Sequence, residues 1–155
     1  MSSPSFAVSA RFVAMAVVLS LASATQAAAP TVGQVGEAAL AMVANANCTV
    51  SATRRANPTR YLLVDGSACP VGGGACEAVA IIRLDGRTTV FKRTGEPSTD
   101  ASGKFSATYS EGDRRLRVDY AALPRDAKAA RSATLHVTTQ AGTATVKGFV
   151  SCDGG

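Results

Sequence analysis

The stretch KFSATYSEGDRRLRVDY, residues 104–120, alternates apolar and polar side chains on either side of a polar centre. Successive side chains leave a strand on opposite faces, so a period of two marks a half-buried β-strand. Folding the stretch about Glu111–Arg114 sets Tyr109 opposite Leu116, Ala107 opposite Val118 and Phe105 opposite Tyr120. One face of the resulting hairpin is wholly apolar. Its other face pairs Ser110 with Arg115, Thr108 with Arg117 and Ser106 with Asp119. A slip of one residue would send the apolar set into water, so the register is firmly specified.

Two more hairpins follow from the same logic. AVAIIRLDGRTTVFK turns on Asp85–Gly86, a dipeptide suited to the positive φ angles of a two-residue turn, and its run Val79–Ile82 is apolar on both faces. SATLHVTTQAGTATVKGFVSC is expected to turn on Ala141–Gly142, setting Val137 against Val146, Leu135 against Gly148 and His136 against Lys147. Adding CTVSATR and RYLLVD brings the count to about eight strands. The expected fold is all-β, a single antiparallel β-barrel or β-sandwich with at most a short N-terminal helix in EAALAMVANAN, residues 37–47. In the long loop at residues 123–132, Pro124 is placed to open a helical turn.

Residues 1–27 read as an export signal: one cation at Arg11, an apolar run from Phe12 to Ala22, and small residues suited to cleavage near Ala27. The run falls short of the roughly 20 residues of a membrane span. No cysteine stands at its exit to carry a lipid, so the expected product is a soluble secreted or periplasmic protein without a stable membrane span. The chain then divides into the signal (1–27), an N-terminal segment or short helix (28–47) and a disulfide-stabilised β-domain (48–155). The full sequence carries 16 basic and 11 acidic residues, a formal charge of +5, and one cation leaves with the signal. Twelve of the basic residues are arginine but none forms a block, so no nucleic-acid partner is expected.

Four cysteines in a small exported chain point to two disulfides. Cys69 and Cys76 border the short loop CPVGGGAC, whereas Cys48 opens the first strand of the β-domain and Cys152 ends the last. The simplest pairing is therefore Cys69 with Cys76 and Cys48 with Cys152. The spacings contain no close C-x-x-C pair of the kind zinc sites use, and the Gly-rich loop lacks the Gly-Lys-Ser/Thr continuation of a phosphate cradle. Neither metal nor other cofactor is expected. The loop is a staple whose glycines also allow a partner to approach the backbone closely.

His136, the single histidine, belongs on the polar face of its strand beside Thr134 and Thr138, and the sequence alone brings it no nucleophile or orienting acid. The familiar hydrolase motifs are missing from the mature chain. Glu111 and Asp113 suit a polar hairpin tip, and Asp119 a partner for nearby arginines. Arg115 and Arg117 share a face, and with Lys104 they are the candidate binding residues for an anionic partner.

Two resemblances give the alternatives. NCTVSA, residues 47–52, resembles the first strand of secreted pilus subunits of the spore-coat-U type, although KGFVSCDGG is unlike the assembly strand of that family. An exported eight-strand domain with a cysteine near each end is also similar to the small periplasmic lysozyme inhibitors, but a basic chain would repel basic lysozymes. No residue role is carried over from either. The expectation is a noncatalytic binding or inhibitory module that engages a protein or an anionic cell-envelope polymer; a pilus or surface-structure subunit is the alternative, and an atypical enzyme comes third.

Overall fold

Phe105–Glu111 and Arg114–Tyr120 form an antiparallel hairpin in the register that the alternation specifies, Tyr109 facing Leu116 and Phe105 facing Tyr120. Gly112 takes a φ of 57° at the first central position of its turn. The computed structural model describes residues 27–54, 58–122 and 130–152. The export signal expected up to Ala27, save Ala27 itself, and the helical turn expected at Pro124 lie outside the described residues. Its strands are β1 (Val32–Gly33), β2 (Val35–Gly36), β3 (Asn45–Ser51), β4 (Arg60–Tyr61), β5 (Leu63–Ala68) and β6 (Glu77–Leu84). They continue as β7 (Arg87–Arg93), β8 (Ser98–Thr99), β9 (Phe105–Glu111), β10 (Arg114–Tyr120), β11 (Arg131–Thr139) and β12 (Gly142–Cys152).

Eight of these close a barrel in the order β6, β5, β3, β12, β11, β10, β9, β7, with β7 returning to β6. The choice between barrel and sandwich thus falls to an antiparallel barrel, in which every wall strand has a neighbour on both sides. Closure removes the unpaired edges that an open sheet would expose. An eight-strand interior is just wide enough for side chains to fill, and here Leu63, Ile82, Phe91, Leu116, Leu135 and Val137 fill it.

A second buried cluster lies on the outside of the wall. Val64, Val79 and Ile81 face away from the barrel axis and pack against Val35, Ala39 and Val43 of the N-terminal segment. This explains why β6 reads apolar on both faces: Ala80, Ile82 and Leu84 face the interior while Val79 and Ile81 sit under a strap. The strap is tied at its start, where Thr31 N donates to Asp85 Oδ1 at 2.8 Å and Val32 pairs with Leu84. Instead of a helix through residue 47, the segment makes a six-residue 3₁₀ turn at Glu37–Met42. Chain beyond it is taken by the sheet, since Ala44 N donates to Ser67 O at 2.7 Å and Asn45 pairs with Ser67. Tertiary pairing outweighs the helical propensity of a short alanine run.

The hairpin of β11 and β12 departs from its expected register by two residues. It turns on Gln140–Ala141, so that Leu135 faces Val146, Val137 faces Ala144 and His136 faces Thr145 rather than Lys147. The Thr139 hydroxyl accepts from Ala141 N, and Gly142 follows with a φ of 137°. A two-residue shift leaves each side chain on its expected face. It also puts Gly148 opposite Ala133, where the backbone passes under Val50 and Leu62.

Strand direction sorts the connections to two ends. The tight turns at Asp85–Gly86, Gly112–Asp113 and Gln140–Ala141 occupy one end. The opposite end, here the mouth, carries the 69–76 loop, the 94–104 loop and both disulfides, which join Cys48 to Cys152 and Cys69 to Cys76 as their positions suggest. Among the described residues no helix is long and apolar enough to cross a membrane.

Candidate functional site

The polar faces of β9, β10, β11 and β12 form one outward surface of three cross-strand rows. Ser110, Arg115, Thr138 and Thr143 make the first; Thr108, Arg117, His136 and Thr145 the second; Ser106, Asp119, Thr134 and Lys147 the third. Alternation sends these residues out because their neighbours Ala107, Tyr109, Leu116, Val118, Leu135 and Val137 are drawn into the core.

Asp119 organises the surface. Its Oδ1 accepts from Ser106 Oγ at 2.7 Å and from Arg117 Nε at 2.8 Å, and its Oδ2 lies 3.3 Å from His136 Nε2. Partial burial acts to raise the carboxyl, but the Ser106 and Arg117 hydrogen bonds, with the charges of Arg117 and His136, hold it below the usual aspartate range. His136 Nδ1 is 3.2 Å from Thr145 Oγ1, so both ring nitrogens are engaged. The Ser106 hydroxyl donates to the carboxylate and not to the imidazole, which is not the arrangement of a serine nucleophile and its base.

Lys104 reaches the same surface from the adjoining loop. Asp100 Oδ1 shapes that loop by accepting from Ser102 N at 2.8 Å, Ser102 Oγ at 2.6 Å and Lys104 N at 3.0 Å. The Ser102 hydroxyl is the main reason that Asp100 titrates below its ordinary value. Lys104, Arg117, Asp119 and His136 line a shallow depression of about 520 Å³, and Arg115, Arg117 and His136 line its neighbour of about 380 Å³. The three candidate residues therefore share one face, with Arg117 common to both hollows. Arg115 has no carboxylate partner among the described residues, whereas Arg114 is tied to Glu111 at the hairpin tip at 3.2 Å.

Sequence reasoning missed the neighbours of His136. Asp119 and His136 are 17 positions apart and meet because β10 pairs with β11, a pairing across a long loop that no local turn signal announces. It also missed a polar cluster inside the barrel. Asp65 is buried and faces Arg93 Nη2 at 3.4 Å, while the same nitrogen lies 3.3 Å from Tyr109 Oη. Burial pushes the Asp65 carboxyl up, against the Tyr109 hydrogen bond and the Arg93 charge. Burial would depress Arg93, but the Tyr109 hydroxyl and then the Asp65 charge carry it above its ordinary value. The alternation of RYLLVDGS could have signalled this, since it places Asp65 on the same face as Leu63.

The disulfide-closed loop is a separate feature. Gly72, Gly73 and Gly74 have φ of 96°, 99° and 136°, a backbone that L side chains rarely adopt, and Val71 stands fully exposed at its turn. Compared with known proteins, the chain matches no family model, no curated sequence and no solved structure.

Proposed function

We propose that this protein is a noncatalytic binding module of the periplasm or extracellular space that engages an acidic partner through the outer face of β9–β11. The observation that carries this reading is the presentation of Lys104, Arg115 and Arg117 around two adjoining hollows. With Lys147, four cations stand on or beside this face against two carboxylates, Asp100 and Asp119. The backbone supports of Arg115, Arg117 and Lys147 are locked by sheet register and need little ordering on association, which favours binding. Two disulfides suit an oxidising compartment, in keeping with the export signal. A donated strand needs an open sheet edge, so a closed barrel lends no support to the pilus alternative.

The test uses mature, oxidised protein immobilised and exposed to envelope extract. A partner captured at low salt and released as salt rises is the expected result, because screening weakens exposed charge pairs. Lys104→Ala, Arg115→Ala and Arg117→Ala combined should abolish capture while leaving thermal unfolding within a few degrees of wild type. Equal capture by the folded triple variant would remove the assignment.

A further inference from the structure

We propose a second site, distinct from the outer face: the barrel mouth binds a small anion with a flat apolar or aromatic body. The inward rows of this barrel are apolar along most of their length, but at the mouth they end in Cys48, Asp65, Arg93, Phe105, Tyr120 and Arg131. An inward arginine is costly unless something there uses its charge. Asp65 offsets Arg93, at 3.4 Å. Arg131 has no carboxylate partner among the described residues: its Nε donates to Ala121 O, and its guanidinium lies 5.6 Å from the Tyr120 ring centre. One cation at the mouth is thus left for a ligand.

Space and shape agree with that charge. A cavity of about 550 Å³ opens over Phe105, Tyr120, Arg131 and Cys48, with Thr99 and Ser102 of the adjoining loop on its rim. That volume falls within the range of small-molecule sites, roughly 300–1,000 Å³, and barrel mouths are a preferred place for them. Phe105, half-buried, gives the cavity its aromatic face and packs on Tyr120 with ring centres 5.6 Å apart and planes tilted by 43°. Tyr120 is 1% exposed and backs this wall from inside the barrel. An aromatic face and a cation free of carboxylates define a ligand with an apolar plane and one negative group.

The probe is 8-anilinonaphthalene-1-sulfonate, compared with N-phenyl-1-naphthylamine, which has the same rings and no charge. Fluorescence titration of the wild-type protein should show one saturable sulfonate site per chain. The neutral probe should bind about tenfold more weakly, the loss that follows from removing one charge-assisted contact. Arg131→Ala should weaken the sulfonate by a similar factor, whereas Arg115→Ala and Arg117→Ala should leave it within about twofold. If Arg131→Ala fails to fold, the two probes on wild-type protein still decide. Equal affinity for both probes, absence of a saturable site, or a loss that follows Arg115 and Arg117 would overturn the proposal. Because the outer-face variants belong to the first site and Arg131 to the second, failure of one assignment is distinct from failure of the other.

Discussion

Gly148 sits where strand, neighbouring strand and loop crowd together. A Cβ there would stand 2.6 Å from Val50 Cγ1 and 2.7 Å from Ser51 O, contacts that no packed side chain tolerates. The obstruction includes backbone, so the wall itself must give. Gly148→Ala is expected to lower stability by about 1–3 kcal/mol in denaturant unfolding, the usual cost of overpacking. A cost near zero would mean that β12 and β3 do not approach as described. That glycine was legible as a space-making residue beside an inward leucine, but its true opposite, Ala133, was not, because the turn was placed one residue late. At Asp119 the sequence revealed a partner for an arginine, and Arg117 holds that place. His136 and Ser106 on the same carboxylate depended on the pairing of strands that no short turn connects.

Elements bounded by unambiguous turns were readable in register, although the inward face of the doubly apolar run Val79–Ile82 was not. Asp85–Gly86, with φ of 49° and 79°, and the hairpin about Gly112–Asp113 both sit where local turn chemistry and alternation agree. Where several residues could make the turn, as in TTQAGTA, only the face was specified and not the register. The covalent elements behave differently from one another under reduction. The Cys69–Cys76 bridge spans 7 positions and the Cys48–Cys152 bridge spans 104. Chain entropy assigns about 2.5 kcal/mol to the short loop and about 4.7 kcal/mol to the long one. Replacing both cysteines of the long bridge by serine should therefore lower the unfolding midpoint more than the same change in the short bridge. The reverse order, with both pairings verified by peptide mapping, would show that the unfolded chain is not the main target of these bridges.

For the whole molecule, the number of strands could be counted along the chain, but barrel and sandwich differ only in which distant strands meet. Closure rests on β7 pairing with β6 and β9, and on β3 pairing with β12, and side-chain period says nothing about either. The closed interior sets the response to alkali. Tyr109 and Tyr120 point into it, and burial first, then the Asp65 charge, raises both hydroxyls above the ordinary tyrosine value of about 10. An acid whose pKa is raised by folding leaves stability intact below the unfolded value and erodes it above, because the unfolded chain releases protons that the fold retains. Ultraviolet titration should thus show two of the three tyrosines ionising only as the protein unfolds, in step with loss of circular dichroism. Ionisation of all three with the fold intact would mean that the interior is wet. Closure has a mechanical side as well. Cys48 and Cys152 lie directly opposite each other on the first and last wall strands, so a pull applied to the chain on either side of the barrel passes through the sulfur–sulfur bond and bypasses the hydrogen-bonded wall. In the oxidised protein the 104-residue separation, roughly 340–370 Å of extended chain, cannot be drawn out by tension at all, whereas the strap and the start of β3 ahead of Cys48 can peel away under load.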